Sequence, residues 1–287
     1  MENVSSRTWL FEITPRDTLL RLDLKEVWRY RDLLVLLVRR DLVAFYKQTI
    51  LGPLWYVIQP ILTTVIFTII FNGIADIQTN GVPPFLFNLA GVTVWTFFST
   101  CLTTTADTFK TNAALFGKVY FPRVIMPLSV VLSNVVKFLI QLVIFFGFYL
   151  YFYFSGVEIR PHASILLFPL LIVSMALLGL GLGMIVSSLV SKYRDLSFLV
   201  VFGVQLLMYL SAVTYPIELV QQKLPQWAWA IQYNPLAHMV EISRKMLLGG
   251  SDTAMGNIGM TIVPTLVVLF VGLLIFNKTE RTFIDTI

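Results

Sequence analysis

The sequence predicts an all-α integral membrane protein with six transmembrane helices, an amphipathic helix near the N-terminus and a re-entrant helical segment before the last span. Hydrophobic residues make up 57% of its 287 residues and charged residues 13%, against about 45–50% and about 25% in soluble domains. A mean hydropathy of +0.79 in a 32.6 kDa chain would force a soluble domain to expose a mostly apolar surface. These values exclude a soluble enzyme, a secreted disulfide-linked scaffold and a disordered chain.

Apolar windows set the six predicted spans, because a hydrocarbon core of about 30 Å needs about 20 helical residues. Five windows are clear, and a sixth lies between Asp195 and Pro216. The window 127–154 contains Lys137, so either this lysine faces a wet cavity or 123–133 is interfacial and the membrane portion begins near residue 134. We favour the second alternative. The predicted spans are 54–75, 85–106, 134–154, 164–190, 197–215 and 258–276.

Two other segments are amphipathic and too polar to span. Residues 216–256 mix Trp and Tyr with Lys, Arg and Glu, which favours short interfacial or re-entrant helices. Residues 23–50 predict a helix lying along the membrane. Its apolar face carries Leu24, Trp28, Leu34, Val35, Val38, Leu42 and Phe45, and its charged face carries Lys25, Arg29, Asp32, Arg39, Arg40 and Lys47. The charged face either anchors the helix to anionic lipid or meets a cytoplasmic partner.

Lys and Arg are distributed unequally between the two sides of this arrangement. Sixteen lie on the side of the termini and four on the opposite side. Because basic residues are enriched in cytoplasmic loops, both termini are predicted to be cytoplasmic. The predicted organisation is a cytoplasmic N-terminal segment over 1–53, a membrane domain over 54–277 with 216–256 on its outer side, and a cytoplasmic tail over 278–287.

No catalytic, nucleotide or metal site is expected in this chain. Gly117-Lys118 lacks the upstream glycine and the following hydroxyl residue of a phosphate-binding loop. His162, His238 and Cys101 stand apart, without metal-ligand spacing. No predicted span has Asp or Glu in its interior, where a coupled carrier or a membrane-embedded hydrolase would need one. The sequence therefore predicts a conduit whose energy source lies elsewhere.

Mildly polar and aromatic residues recur at helical spacing within the spans. Hydroxyl and amide groups in a bilayer often bond between neighbouring helices, but such stripes also suit a pathway for sugars, and both roles can coexist at a dimer interface. Gly179, Gly183 and Ser187 show the small-residue spacing that lets helices pack closely. The candidate pathway residues are Trp55, Gln59, Thr63 and Phe67 on the first span and Gln205 and Tyr209 on the fifth.

A series of short motifs covers nearly the whole chain, from about residue 23 to the C-terminus. They are Arg40-Asp41-Leu42, the stretch from Tyr46 to Trp55, Gln59-Pro60, Gly91 with Trp95, the stretch from Phe116 to Arg123, Arg194-Asp195, Tyr215-Pro216, Tyr233-Asn234-Pro235-Leu236 with Arg244, and the tail from Phe276 to Asp285. In this order they resemble the permease subunits of ATP-binding-cassette (ABC) polysaccharide exporters, which carry O-antigen, capsule or teichoic acid chains.

The resemblance implies the ABC exporter permease fold and a homodimer that works with two cytoplasmic ABC ATPase subunits. ATP and Mg would bind to those ATPases and not to this chain. The implied substrate is a lipid-diphosphate-linked glycan, with O-antigen favoured. The implied location is the inner membrane of a bacterium, where the chain contacts membrane lipids and binds no nucleic acid. The pathway stripes are expected to meet near the dimer axis.

The resemblance also implies that the amphipathic helix and the first cytoplasmic loop contact the ATPases. The same architecture exporting a drug or a lipid is the alternative function. A membrane enzyme of lipid-linked sugar metabolism and a secondary carrier or channel carry less weight, because the acidic residues they need are missing. The implied ATPase contacts are Arg39, Arg40, Asp41, Phe116, Lys118, Tyr120 and Arg123.

Overall fold

A computed structural model describes residues 24–47, 50–116, 121–157, 159, 163–193, 195–249 and 258–283. Regular secondary structure in these ranges is helical throughout. The helices, in chain order, are α1 (Leu24–Arg29), α2 (Arg31–Lys47), α3 (Trp55–Phe67, continued by a π-helix over Thr68–Ile74), α4 (Pro84–Ala106), α5 (Thr108–Phe116), α6 (Ile125–Phe154), α7 (Phe168–Lys192), α8 (Leu196–Leu210), α9 (Ile217–Lys223), α10 (Ala228–Gln232), α11 (Pro235–Leu248) and α12 (Ile258–Phe283).

Five helical segments of the described chain are long and apolar enough to cross a membrane: Trp55–Ile74, Pro84–Ala106, Ile125–Phe154, Ser164–Lys192 and Ile258–Thr279. They confirm five of the six predicted spans as helices of spanning length. The remaining span, predicted over 197–215, is occupied by α8, which has 15 residues. At about 1.5 Å per residue α8 is about 22 Å long, short of the roughly 30 Å of a hydrocarbon core. Helical geometry stops there because Ala212 adopts a left-handed φ of 50°.

Helix α4 lies at the centre of the fold, and 78% of its apolar window is buried. It packs against α3, α6, α7 and α11, and α7 packs in turn against α12. The close approach of α4 and α7 depends on glycines, as the small-residue spacing predicts. A Cβ added to Gly183 would lie 2.5 Å from the Cβ of Thr105, and one added to Gly179 would lie 2.9 Å from the Cβ of Cys101. Side chains at these positions would therefore separate the two helices.

The predicted N-terminal helix consists of two helices, α1 and α2, and its apolar side chains form two stripes rather than the single one that the sequence suggests. Helix α2 packs against α6, with Leu37 buried and Leu33 and Leu34 half-buried against the core. Trp28 and Val35, assigned to the apolar face, remain 70% and 65% exposed. The first stripe therefore attaches the helix to the protein, and the second leaves apolar side chains free to meet lipid.

The predicted re-entrant segment contains three short helices, α9, α10 and α11, with a 3-10 turn over Pro225–Trp227. Most of α11 is buried, against α4, α7 and α12. Trp227, Trp229 and Tyr233 remain exposed. The segment is amphipathic as expected, with one side packed on the spanning helices and an aromatic side left uncovered.

Candidate functional site

The candidate stripe on α3 begins beside a cavity of about 270 Å³ between α3, α4 and α6, which we call the Lys137 cavity. Trp55 and Gln59 are both exposed and line it, whereas Thr63 and Phe67 are half-buried and lie outside it. The stripe is therefore divided between an open cavity and the helix packing further along. The lining consists of Trp55, Tyr56 and Gln59 of α3, Thr96, Phe97 and Thr100 of α4, and Asn134, Lys137, Phe138 and Gln141 of α6.

Lys137 lies inside the unbroken helix α6 and faces this cavity. Its Nζ donates a hydrogen bond to Asn134 Oδ1 at 3.0 Å and lies 5.6 Å from the centroid of the Tyr56 ring. Asn134 in turn donates to Thr104 Oγ1 at 2.9 Å. Lys137 thus faces a cavity, which is the alternative that the sequence does not favour, because residues of three helices leave a space around the ammonium.

Beyond the cavity, two hydrogen bonds within α3 lead to two further bonds that join it to α4. Thr64 Oγ1 donates to the carbonyl of Pro60 at 2.7 Å, and Thr68 Oγ1 donates to the carbonyl of Thr64 at 2.8 Å. The fully buried Asn88 of α4 then donates to Thr68 Oγ1 at 3.1 Å and to Asn72 Oδ1 at 2.7 Å. These bonds confirm an interhelical role for polar groups of the first span, next to the candidate stripe.

The two candidate residues on α8 lie outside the cavity. Helix α8 packs against α4 and α7, whereas Gln205 and Tyr209 point away from the core and are exposed. No described residue of α8 is fully buried. A single chain therefore brings Trp55 and Gln59 into one cavity and leaves Gln205 and Tyr209 on an exposed face.

Arg244 of α11 is a structurally important cation to which sequence reasoning gave no separate role. It is 3% exposed, and its guanidinium donates to the carbonyls of Ala212 at 2.9 Å, of Val213, and of Tyr215 at 3.4 Å. Burial lowers the Arg244 pKa to about 10, so the side chain is positive at neutral pH. A cation there complements the unpaired carbonyls after a helix C-terminus.

The surroundings of Arg244 explain why the chain after α8 holds its shape. The guanidinium lies 3.9 Å from the centre of the Phe87 ring and 3.5 Å from the Glu241 carboxylate. A Cβ added to Gly91 of α4 would lie 2.6 Å from Arg244 Nη2. Only a very small residue at position 91 leaves room for this cap. Gly91 and Arg244 both occur in the motif series, but nothing in the sequence indicates that they are in contact.

The implied ATPase contacts are described only in part. Arg39 and Arg40 are exposed on α2, and Arg40 Nη2 lies 2.8 Å from Asp41 Oδ1. Phe116 ends α5, Arg123 is 6% exposed just before α6, and Lys118 and Tyr120 lie outside the described residues. The structure thus places a charged surface on α2 and leaves the loop contacts as a prediction. The described residues contain no cluster of His, Cys, Asp or Glu able to hold a metal ion.

Comparison with known proteins identifies the family. The chain is 30% identical over 256 residues to the O-antigen export system permease protein RfbA of Klebsiella pneumoniae, covering 88% of this chain and 94% of that protein. It is 28% identical to the Myxococcus xanthus protein of that name, covering 69% and 74%, and 22% identical to the polysialic acid transport protein KpsM of Escherichia coli, covering 86% and 93%. The ABC-2 type transporter profile matches residues 32–248. The chain therefore belongs to the ABC-2 type transporter family of membrane proteins.

Proposed function

We propose that this chain is the membrane-spanning permease of an ATP-driven exporter of lipid-diphosphate-linked polysaccharide, with an O-antigen chain as the favoured substrate. The observation that carries the proposal is similarity over most of the chain to relatives named for O-antigen export and for polysialic acid transport. One name denotes export and the other transport of a polysaccharide, which favours a glycan over the drug or lipid considered as the alternative. The hydrolysis of ATP belongs to a separate ATPase, which also binds Mg.

The proposed transporter contains two copies of this chain and two ATPase subunits in the inner membrane of a bacterium. In it α8, which alone is shorter than a hydrocarbon core, makes the sixth crossing together with the turn that Arg244 holds at its outer end, and both termini lie in the cytoplasm. Sixteen Lys and Arg on the side of the termini, against four opposite, support this orientation. Arg39, Arg40 and the loop from Phe116 to Arg123 would transmit the motions of the ATPase.

The proposed pathway lies where the exposed faces of α3 and α8 approach their copies at the dimer axis. Only 11% of the α3 window is buried, and the exposed surfaces of α3 and α8 include Gln59, Gln205 and Tyr209. Helix α12 is comparably uncovered, at 17%, yet its large exposed side chains are apolar, as at Val263, Leu266 and Phe270. Polar residues on an uncovered face point to a wet environment and purely apolar ones to lipid, which favours α3 and α8 for the pathway.

Export in cells tests this function. A bacterial strain whose copy of this permease has been deleted should accumulate lipid-linked glycan at the cytoplasmic face of the membrane and lose glycan from the cell surface. Surface glycan should return on expression of this chain with its ATPase, and not with an ATPase variant unable to hydrolyse ATP. Normal surface glycan in the strain without this chain would overturn the proposal.

A further inference from the structure

We propose that the Lys137 cavity is the site that receives the diphosphate and the first sugar of the lipid-linked substrate. This inference rests on the proposed function and assigns the substrate headgroup to a place in the chain. The cavity has one cationic group, a wall of amide and hydroxyl groups and exposed aromatic surface, and it is open along α3. Each of these features matches one part of a phosphorylated sugar headgroup.

The charge of the cavity favours an anion. Lys137 is the one charged residue among the ten described residues of the lining. An ammonium has three N–H donors; Asn134 accepts one at 3.0 Å, and the Tyr56 ring covers one side. Asp41, on the helix packed against α6, is close enough to attract Lys137, but it accepts its hydrogen bonds from Arg40, at 2.9 Å and 2.8 Å. Lys137 therefore retains donors for a phosphoryl oxygen.

The rest of the lining suits a sugar better than a simple phospholipid. Gln59, Gln141, Thr96 and Thr100 supply amide and hydroxyl groups that both donate and accept hydrogen bonds. Trp55 is 45% exposed at the same cavity and offers an apolar platform to a sugar ring. A phospholipid headgroup would use the cation but would leave most of this polar and aromatic wall without a partner.

The size and position of the cavity limit what it can hold. A volume of about 270 Å³ is at the low end for a ligand pocket, so it accommodates a headgroup and not a glycan chain. Helix α6 packs against the basic amphipathic helix α2, and such helices lie at the headgroup layer. A lipid in the same leaflet would present its phosphates at this depth while its tail stays in the hydrocarbon.

Binding to the complete transporter tests the assignment. The complex of chain and ATPase is placed in nanodiscs of zwitterionic lipid and titrated with a short-tailed lipid carrying a diphosphate-linked monosaccharide. Replacing Lys137 by Met should weaken binding about tenfold or more, because a hydrogen bond to a charged group is lost. Lys137→Arg keeps the charge and should stay within a few-fold of the wild type. Lys192→Met is the matched control, since Lys192 also lies over a tyrosine ring, 5.3 Å from the centre of Tyr193, but lines no part of the cavity.

Two further arms separate the outcomes. Lys137→Gln keeps a donor for Asn134 and should lose affinity as Lys137→Met does, and copurification of the ATPase reports whether each variant assembles. Added anionic phospholipid should compete only weakly with the glycolipid probe. If the phospholipid abolishes binding of the probe, and if Lys137 matters for binding of the phospholipid but not of the probe, the cavity is a phospholipid site and the assignment is wrong. Wild-type affinity in both neutral variants would also overturn it while leaving export by the wild type, and so the proposed function, intact. A wild-type complex that neither binds the probe nor exports glycan would overturn both.

Discussion

Replacing Arg244 with methionine removes the cation that holds the chain just after α8. The guanidinium donates to the carbonyls of Ala212, Val213 and Tyr215 from a buried position. A hydrogen bond to a charged group contributes about 1.5–3 kcal/mol, and removing one partner of a buried ion pair costs about 3–5 kcal/mol. Because Lys245 Nζ stays 3.2 Å from Glu241, that carboxylate keeps a partner. With Glu241 still paired, the larger cost does not apply, and we expect Arg244→Met to lower the free energy of unfolding by about 1.5–3 kcal/mol through the lost hydrogen bonds.

The neighbouring glycine makes the test specific. Gly91→Ala would place a Cβ 2.6 Å from Arg244 Nη2 and against the carbonyl of Val213, so it should cost about 1–3 kcal/mol by overpacking. When Gly91→Ala is combined with Arg244→Met, part of that clash disappears. The double variant should therefore lose less free energy of unfolding than the sum of the losses in the two single variants. Gly147→Ala, also in a spanning helix but with no atom within 4 Å of the added Cβ, is the matched control.

Unfolding by SDS in mixed micelles measures these free energies on the purified chain. Gly147→Ala should stay within about 1 kcal/mol of the wild type. Strictly additive losses for Gly91→Ala and Arg244→Met would show that the two residues do not share one packing site. An Arg244→Met variant as stable as the wild type would refute the role of Arg244 as the cap of α8.

Three other perturbations have defined outcomes. Gly183→Ala places a Cβ 2.5 Å from that of Thr105 and should cost about 1–3 kcal/mol, whereas Gly259→Ala, with open space around it, should be near neutral in the same unfolding assay. Changing Arg39 and Arg40 together to Glu should weaken copurification of the ATPase; an intact complex with a loss of about 1 kcal/mol per charge in binding to anionic vesicles would show that they meet only lipid. Tyr120→Ala with Arg123→Ala should leave membrane insertion and ATP hydrolysis in place but abolish export, and normal export would contradict the loop contact.

The spans could be predicted from sequence because apolar length is a local property. The windows around α3, α4, α6, α7 and α12 each meet the length that a bilayer requires. The end of α8 could not be predicted in this way, since it depends on Arg244, which reaches Ala212 from 32 residues further along the chain. The apolar composition of residues 197–215 gives no indication of the turn at Ala212.

Site residues were harder to predict than spans, because helical spacing shows which residues share one face of a helix but not which other helix packs against that face. Trp55 and Gln59 were grouped with Thr63 and Phe67 on α3, yet the structure adds Lys137 of α6 to the first pair and separates the second pair from their cavity. The sequence favours an interfacial segment over 123–133 with the span beginning near residue 134, because 134–154 alone is about one span long, and this interpretation does not predict a cavity at Lys137. The contacts that make this lysine acceptable, Asn134 and Tyr56, come from two helices.

The pathway at the dimer axis is tested most directly by thiol labelling of the ATP-bound transporter. With the buried Cys101 replaced by Ala, single cysteines are placed at Gln59, Thr63 and Gln205, and at Leu62 and Leu199, which are 55% and 65% exposed in the single chain. A bulky, water-borne thiol reagent should label the first three positions and spare the two leucine positions, because those side chains are then surrounded by lipid. Equal protection at all five positions would show that the polar stripes serve only helix packing and would contradict a pathway between α3 and α8.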